Sequence, residues 1–167
     1  HMKSLIYISI IAVLGSICIP AFGQDTSAVE SFEILSIGGI ISHLDEPIES
    51  INVELWEGNK VVTEELTKKN GKYKFTLYSE KIYTIEISKK GYYAKRVSIN
   101  TKLSGVDGDF QKFPFDIGMT LKGEKDFDEY LKDYPVALIE FHKKRKEFVF
   151  DKEYTRTYMS EISPSKY

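Results

Sequence analysis

The sequence has 167 residues, with 23 Lys+Arg against 25 Asp+Glu, a formal charge of −2 and a single cysteine. That length supports one domain with a real core, since a domain near 150 residues buries about 68–70% of its unfolded surface. Near-neutral charge argues against nucleic acid, which needs a strongly basic footprint. The lone cysteine argues against disulfides and thiolate metal sites.

In chain order, His1 precedes Met2 and reads as a tag remnant. Lys3, an apolar stretch from Leu5 to Val13, helix-breaking Gly15 and Pro20, and small Ala21 and Gly23 complete a secretory signal peptide within residues 1–24. The stretch is shorter than the roughly 20 residues that span a bilayer, so cleavage and export are expected, with no membrane-spanning segment left behind. Ile17 stands where a lipoprotein signal needs a small residue before Cys18. Cleavage removes Lys3 alone among the charged residues, leaving 22 Lys+Arg against 25 Asp+Glu, a formal −3, and no cysteine. The expected location is the periplasm, the outer membrane's surface or the exterior.

Residues 25–33, "DTSAVESFE", read as a flexible leader. From Ile34 the pattern becomes short β segments between turns. Leu35, Ile37 and Ile41 share a face in "EILSIGGIISH", and Pro47 sets a turn in "DEPIES". Ile51, Val53 and Leu55 alternate with Asn52, Glu54 and Trp56, the period of a half-buried strand; "EGNK" turns and "VVTEEL" returns. Asn70-Gly71 suits the left-handed backbone of a tight hairpin. Tyr73, Phe75 and Leu77 then face one way and Lys74, Thr76 and Tyr78 the other. Tyr83, Ile85 and Ile87 form the next apolar row, and "KKG" turns before "YYAKRVSIN". After the loop "TKLSGVDGDFQK", Phe113, Phe115, Ile117, Met119 and Leu121 alternate as one long strand. Short strands at such spacing predict a mainly β fold, an antiparallel β-sandwich over residues 34–121.

A C-terminal extension, residues 122–167, should pack on it as a short helix plus a β-hairpin. Phe127, Tyr130, Leu131 and Tyr134 fall at helical spacing and Pro135 ends the helix. "VALIEF" and "EFVF" form a hairpin around "HKKRK". The tail after Asp151 suits either a helix, with Tyr154, Tyr158 and Ile162 as its stripe, or a strand.

The pieces "GIISHLDEPIESINVELWEG" and "KKNGKYKFTLYSEKIYTIEISKKGYYAKRVSINT" resemble the carboxypeptidase regulatory-like domain family, with Pro47-Ile48, Val53, Leu55, Gly71-Lys72-Tyr73, Tyr83 and Gly91-Tyr92 at its motif positions. The resemblance covers about two fifths of the chain, from about Ile37 to Thr101. It implies a transthyretin-like sandwich of exported bacterial proteins, an accessory module with no peptidase site of its own. Nothing in these 167 residues resembles a zinc peptidase domain or a transporter barrel. The segment from "PFDIGMTL" to "DKEYT" also looks like an extension of small exported proteins from gliding-type bacteria, which implies an envelope role.

Residues that carry chemistry are few. Beyond the signal only His43, at a strand end, and His142, at the edge of a hairpin, remain, and neither an HExxH arrangement nor a GxSxG elbow is present. No enzymatic activity and no cofactor are therefore expected. Asp107 and Asp109 in "GVDGDF" could share a hard cation, yet the spacing of a calcium-binding hand is missing and a polar surface loop explains them. Asp126, Asp128 and Glu129 suit a helix N-terminus. Lys143, Lys144, Arg145 and Lys146 form the one dense basic run, read either as a contact to an acidic partner or envelope polymer or as a solvated hairpin turn. Trp56 and the pairs Tyr92-Tyr93 and Phe113/Phe115 could line a peptide or sugar groove, although aromatics at alternating strand positions are more often core; Tyr78, on the polar-facing row, is the surface aromatic of interest. The expectation is an exported, non-enzymatic binding or structural module with an envelope or secreted protein partner. The alternative is an accessory carbohydrate- or peptide-binding subunit of an enzyme or envelope assembly.

Overall fold

Alternation of apolar and polar side chains separates the inside of this protein from its outside. In the computed structural model, which describes residues 30–124 and 133–162, β5 (Lys72–Tyr78) buries Tyr73, Phe75 and Leu77 and exposes the four residues between and beside them. β6 (Ile82–Ser88) buries Tyr83, Ile85 and Ile87, and β3 (Asn52–Glu57) Val53 and Leu55, with half-buried residues between them. Burying each such side chain contributes on the order of 1.5–3 kcal/mol.

These strands make two layers. In the first, the central β1 (Glu33–His43) pairs with β5 and the two-residue β2 (Glu46–Pro47) on one edge. On its opposite edge it pairs with β8 (Gln111–Pro114) and β9 (Ile117–Gly118). The second runs β11 (Glu147–Phe150), β10 (Ala137–His142), β7 (Lys95–Asn100), β6, β3, β4 (Lys60–Leu66). The expected β-sandwich is present. Both sheets are mixed, because β8 and β9 run parallel to β1 and β10 runs parallel to β7.

Two expectations about connections differ from the structure. Gly71 does take the left-handed backbone, with φ of 63°, but Asn70-Gly71 is not the turn of a hairpin. It carries the chain from β4 in the second sheet to β5 in the first, where β5 pairs with β1. The ladder extends into the turn, Ile41 N–H donating to the Gly71 carbonyl at 2.8 Å. A Cβ on Gly71 would lie 2.5 Å from the Ile41 carbonyl oxygen, so glycine is required there.

The long strand expected over Phe113–Leu121 is broken into β8 and β9. At the break the Asp116 carboxylate accepts the Ile40 N–H at 2.8 Å, and the Tyr73 hydroxyl donates to the Phe115 carbonyl at 2.7 Å. Side chains have replaced the ladder at this point. The close approach needs Gly39, where any Cβ would collide with the Phe115 carbonyl.

The C-terminal hairpin extends the second sheet and places Ala137, Ile139, Phe141 and Phe148 in the common core. The helix expected around Phe127, Tyr130 and Leu131 lies outside the described residues, as does the signal segment. A helix does form in the tail: α1 (Lys152–Ile162). Asp151 caps it, its Oδ1 accepting from Glu153 N and Tyr154 N at 2.9 Å each. Tyr158 is buried, and its ring stacks on that of Tyr154, whose hydroxyl donates to the Pro135 carbonyl at 2.7 Å. No helix among the described residues is long and apolar enough to cross a membrane.

Candidate binding surface

The outer face of the first sheet carries a groove of about 740 Å³. Its floor is β1, where Ser36 and Gly38 leave little side chain between taller neighbours. Register places Gly38 between Lys74 and Pro114, and Ser36 between Thr76 and Lys112; Lys72 stands beside Ile40. Glu65 and Leu66 of β4, with Lys68, close one side. The groove thus gathers Lys68, Lys72, Lys74 and Lys112 against the single carboxylate of Glu65. Glu65 is already engaged, accepting the Lys74 backbone N–H at 3.0 Å. Among the described residues none of these four ammonium groups forms an ion pair. In a chain of net charge −2, that is a local concentration of uncompensated positive charge.

Beneath the groove, burial pushes the Tyr73 phenol above its ordinary range, and the neighbouring Asp116 carboxylate adds to the effect. Tyr73 therefore serves as a neutral hydrogen-bond donor and supports the floor from below.

The basic run occupies the tip between β10 and β11, as its position in the sequence implies, and all of Lys143, Lys144, Arg145 and Lys146 are exposed. Arg145 Nε lies 3.2 Å from Glu147 Oε1. The tip is tied to the groove's far wall by Gln111, whose side chain donates to the Lys146 carbonyl at 2.8 Å and accepts the Phe148 N–H at 2.9 Å. Gln111 adjoins Lys112. A second groove of about 630 Å³, between β8 and β11, holds Arg145 and Lys152 and shares Phe113 and Pro114 with the first. The basic surface therefore continues from β5 across β8 to the hairpin.

Phe113, singled out from sequence, lines both grooves and Phe115 the second, whereas the remaining residues singled out do not join the basic surface. Tyr78, 41% exposed, lies at the far end of β5 from Lys72, its hydroxyl 3.4 Å from Glu33 Oε1. Trp56 is half-buried on the second sheet and donates its indole N–H to Glu54 Oε2 at 3.0 Å. Asp107 and Asp109 are exposed in their loop, and no group of three or more potential metal ligands occurs among the described residues. His43 is held by structural partners: Nδ1 lies 3.1 Å from the Met119 carbonyl, Tyr92 packs edge-on at 5.7 Å, and Glu124 Oε1 is 3.7 Å from Nε2. The Nδ1 of His142 accepts the Arg145 N–H at 3.3 Å within its own turn. Sequence reasoning missed the four groove lysines. Lys72 and Lys74 alternate with the buried row of β5 and were a visible signal, whereas Lys112 gains meaning only from the pairing of β8 with β1.

No protein-family model matches the chain, and no curated protein matches it. Solved structures with partial likeness include 3-chlorocatechol 1,2-dioxygenase from Rhodococcus opacus 1CP, at 10% identity over 56% of this chain and 62% of that one, with a TM-score of 0.39. Wild-type catechol 1,2-dioxygenase from Acinetobacter radioresistens matches at 15% identity over 62% and 56%, with a TM-score of 0.40. The protein S.CueP matches at 14% identity over 51% and 60%, with a TM-score of 0.37. Each match spans less than two thirds of the neighbour's own chain, and likeness at this level carries no argument about function.

Proposed function

We propose that this chain is an exported, non-enzymatic binding module of the cell envelope that holds an acidic partner protein on its lysine-lined groove. One observation carries the reading: four lysines that form no ion pair among the described residues surround a trough floored by Ser36 and Gly38. Clustered charge of one sign raises the local concentration of an opposite-sign partner and speeds its capture. The Lys143–Lys146 tip lies along the same basic surface and supplies a second contact. Export rests on the signal-type N-terminus, and the accessory role on the resemblance to regulatory-like domains. The non-catalytic reading rests on a sequence with neither an HExxH arrangement nor a GxSxG elbow.

A fluorescent polyglutamate probe titrated with the full chain tests the reading. Binding should weaken as salt rises, because screening shortens the reach of surface charge. It should fall sharply in the Lys72→Ser/Lys74→Ser/Lys112→Ser variant, and less in a variant with all four tip residues changed to Ser. Equal binding by the groove variant and the wild type would sink the reading.

A further inference from the structure

The sheet edges of this sandwich are treated unequally. Along the free edge of β5, the N–H groups of Lys72, Lys74 and Tyr78 are taken by Asn70 Oδ1 at 3.2 Å, Glu65 Oε1 at 3.0 Å and the Tyr83 hydroxyl at 3.3 Å, which leaves Thr76 as the one outward position between them without a side-chain cap among the described residues. The Tyr78 carbonyl accepts from Thr101 Oγ1 at 2.7 Å. Along β11, the Gln111 amide takes both the Phe148 N–H and the Lys146 carbonyl, the pair a neighbouring strand would otherwise engage. Capping of this kind prevents an edge from templating another chain.

β4 lacks it. The bond from Thr67 N to the Ile51 carbonyl at 3.0 Å, with Leu66 opposite Asn52, sets the alternation of this strand. It turns the main-chain groups of Glu64 and Leu66 away from β3, and no described residue caps them. Leu66 is 65% exposed and Val62 43%. A register shift opposite Leu55/Trp56 leaves Val62 out of the ladder, and Thr63 to Leu66 form the regular C-terminal run of pairs. That half ends at Glu65 and Leu66, which also form the wall of the lysine groove.

We propose that β4 accepts an extended acidic segment of a partner protein as an added strand, which then leads its carboxylates into the groove. The proposal rests on the binding reading above and supplies its mode: main-chain pairing with Glu64 and Leu66, and charge pairing with Lys68, Lys72, Lys74 and Lys112. Charge decides the occupant. A second copy pairing antiparallel about Glu64 would set Glu64 against Glu64, and like charges directly opposite are destabilising, whereas a segment alternating acidic and apolar residues can set an apolar one opposite Glu64. Acidic side chains instead meet four ammonium groups that have no ion-pair partner among the described residues.

The test uses the full chain and a short synthetic peptide of alternating Glu and Val, read by fluorescence anisotropy. Three modified peptides accompany it: one with Gln for Glu, and two N-methylated on opposite sets of alternate residues. Strand addition uses one edge of the peptide, so one N-methylated form should bind about tenfold or more weakly while the other is retained. Glu64→Pro, which removes an outward N–H without touching the β3 ladder, should weaken the unmodified peptide to a similar degree. The Gln peptide should also lose about tenfold. Undiminished binding of both N-methylated peptides overturns strand addition even if the groove variant fails to bind, and leaves the charge reading standing. Undiminished binding of the Gln peptide overturns the acidic occupant. Absence of binding by the wild type overturns both readings.

Discussion

Replacing Thr101 by Val should destabilise the chain even though the swap conserves shape and removes a buried polar atom. Thr101 is fully buried where β7 ends, and its hydroxyl joins three main-chain groups. Oγ1 accepts the Lys81 N–H at 3.1 Å and lies within donating distance of the Tyr78 carbonyl at 2.7 Å and the Lys81 carbonyl at 3.0 Å. The Lys81 carbonyl also accepts from the main-chain N–H of residue 101 at 2.9 Å, a bond that the valine variant keeps. The Lys81 N–H and the Tyr78 carbonyl lose their partner. Each unsatisfied group costs about 1–3 kcal/mol when sealed from water. Lys81 is half-exposed, so hydration recovers part of its share, and the added methyl returns about 1 kcal/mol. The net expectation is a loss of about 1–3 kcal/mol. Thr101→Ser keeps the hydroxyl and loses one methyl, about 1 kcal/mol. Urea unfolding followed by circular dichroism measures both, with unchanged slope as the sign that only stability moved. A valine variant as stable as the wild type would refute the reasoning, since hydrophobic gain would then outweigh the hydrogen bonds that close the β5–β6 connection.

Gln111→Ala should leave the sandwich folded while the Phe148 amide exchanges faster with deuterium, because the β11 edge loses its side-chain cap; unchanged exchange there would show that the amide contributes no protection. The Lys72→Ser/Lys74→Ser/Lys112→Ser variant should unfold within about 0.5 kcal/mol per site of the wild type, since these exposed groups hold nothing in place; a larger loss would make the lysines structural. Burial raises the Tyr158 phenol to about 12, with nearby Tyr154 adding to it, and raises Tyr73 as well. The folded state then holds these protons more tightly than the unfolded chain, whose tyrosines titrate near 10. Their contribution is complete below about pH 10 and is lost as pH rises toward about 12. Phenolate absorbance recorded alongside circular dichroism should show the last tyrosines ionising as the fold is lost, and their full ionisation in an intact fold would contradict it.

The layers of this sandwich were legible because burial imposes a period of two. The rows Val53/Leu55, Tyr73/Phe75/Leu77 and Tyr83/Ile85/Ile87 are inward-facing in the structure as they are apolar in the sequence. Partnership between strands was not legible. Asn70-Gly71 has the local chemistry of a hairpin, and the same left-handed glycine serves a crossing between sheets equally well. What sends β5 to β1 is non-local: a run of bonds between residues more than thirty positions apart. Asp116 was equally hidden, because a carboxylate that replaces a ladder bond looks like any polar position in an alternating strand. The basic tip could be read because its charges are consecutive. The groove could not, since Lys74 and Lys112 flank Gly38 and Ser36 only through two separate registers, one antiparallel and one parallel.

Mapping the alternating Glu/Val peptide onto the full chain by amide NMR tests the central claim most directly. Perturbed signals should cluster at Glu64, Leu66, Lys68, Lys72, Lys74 and Lys112, with Ser36 and Gly38 on the floor between them, and should fade as salt is added. Perturbations confined to Trp56 and the outer face of the second sheet, or none under low-salt conditions, would contradict a lysine groove that holds acidic partners.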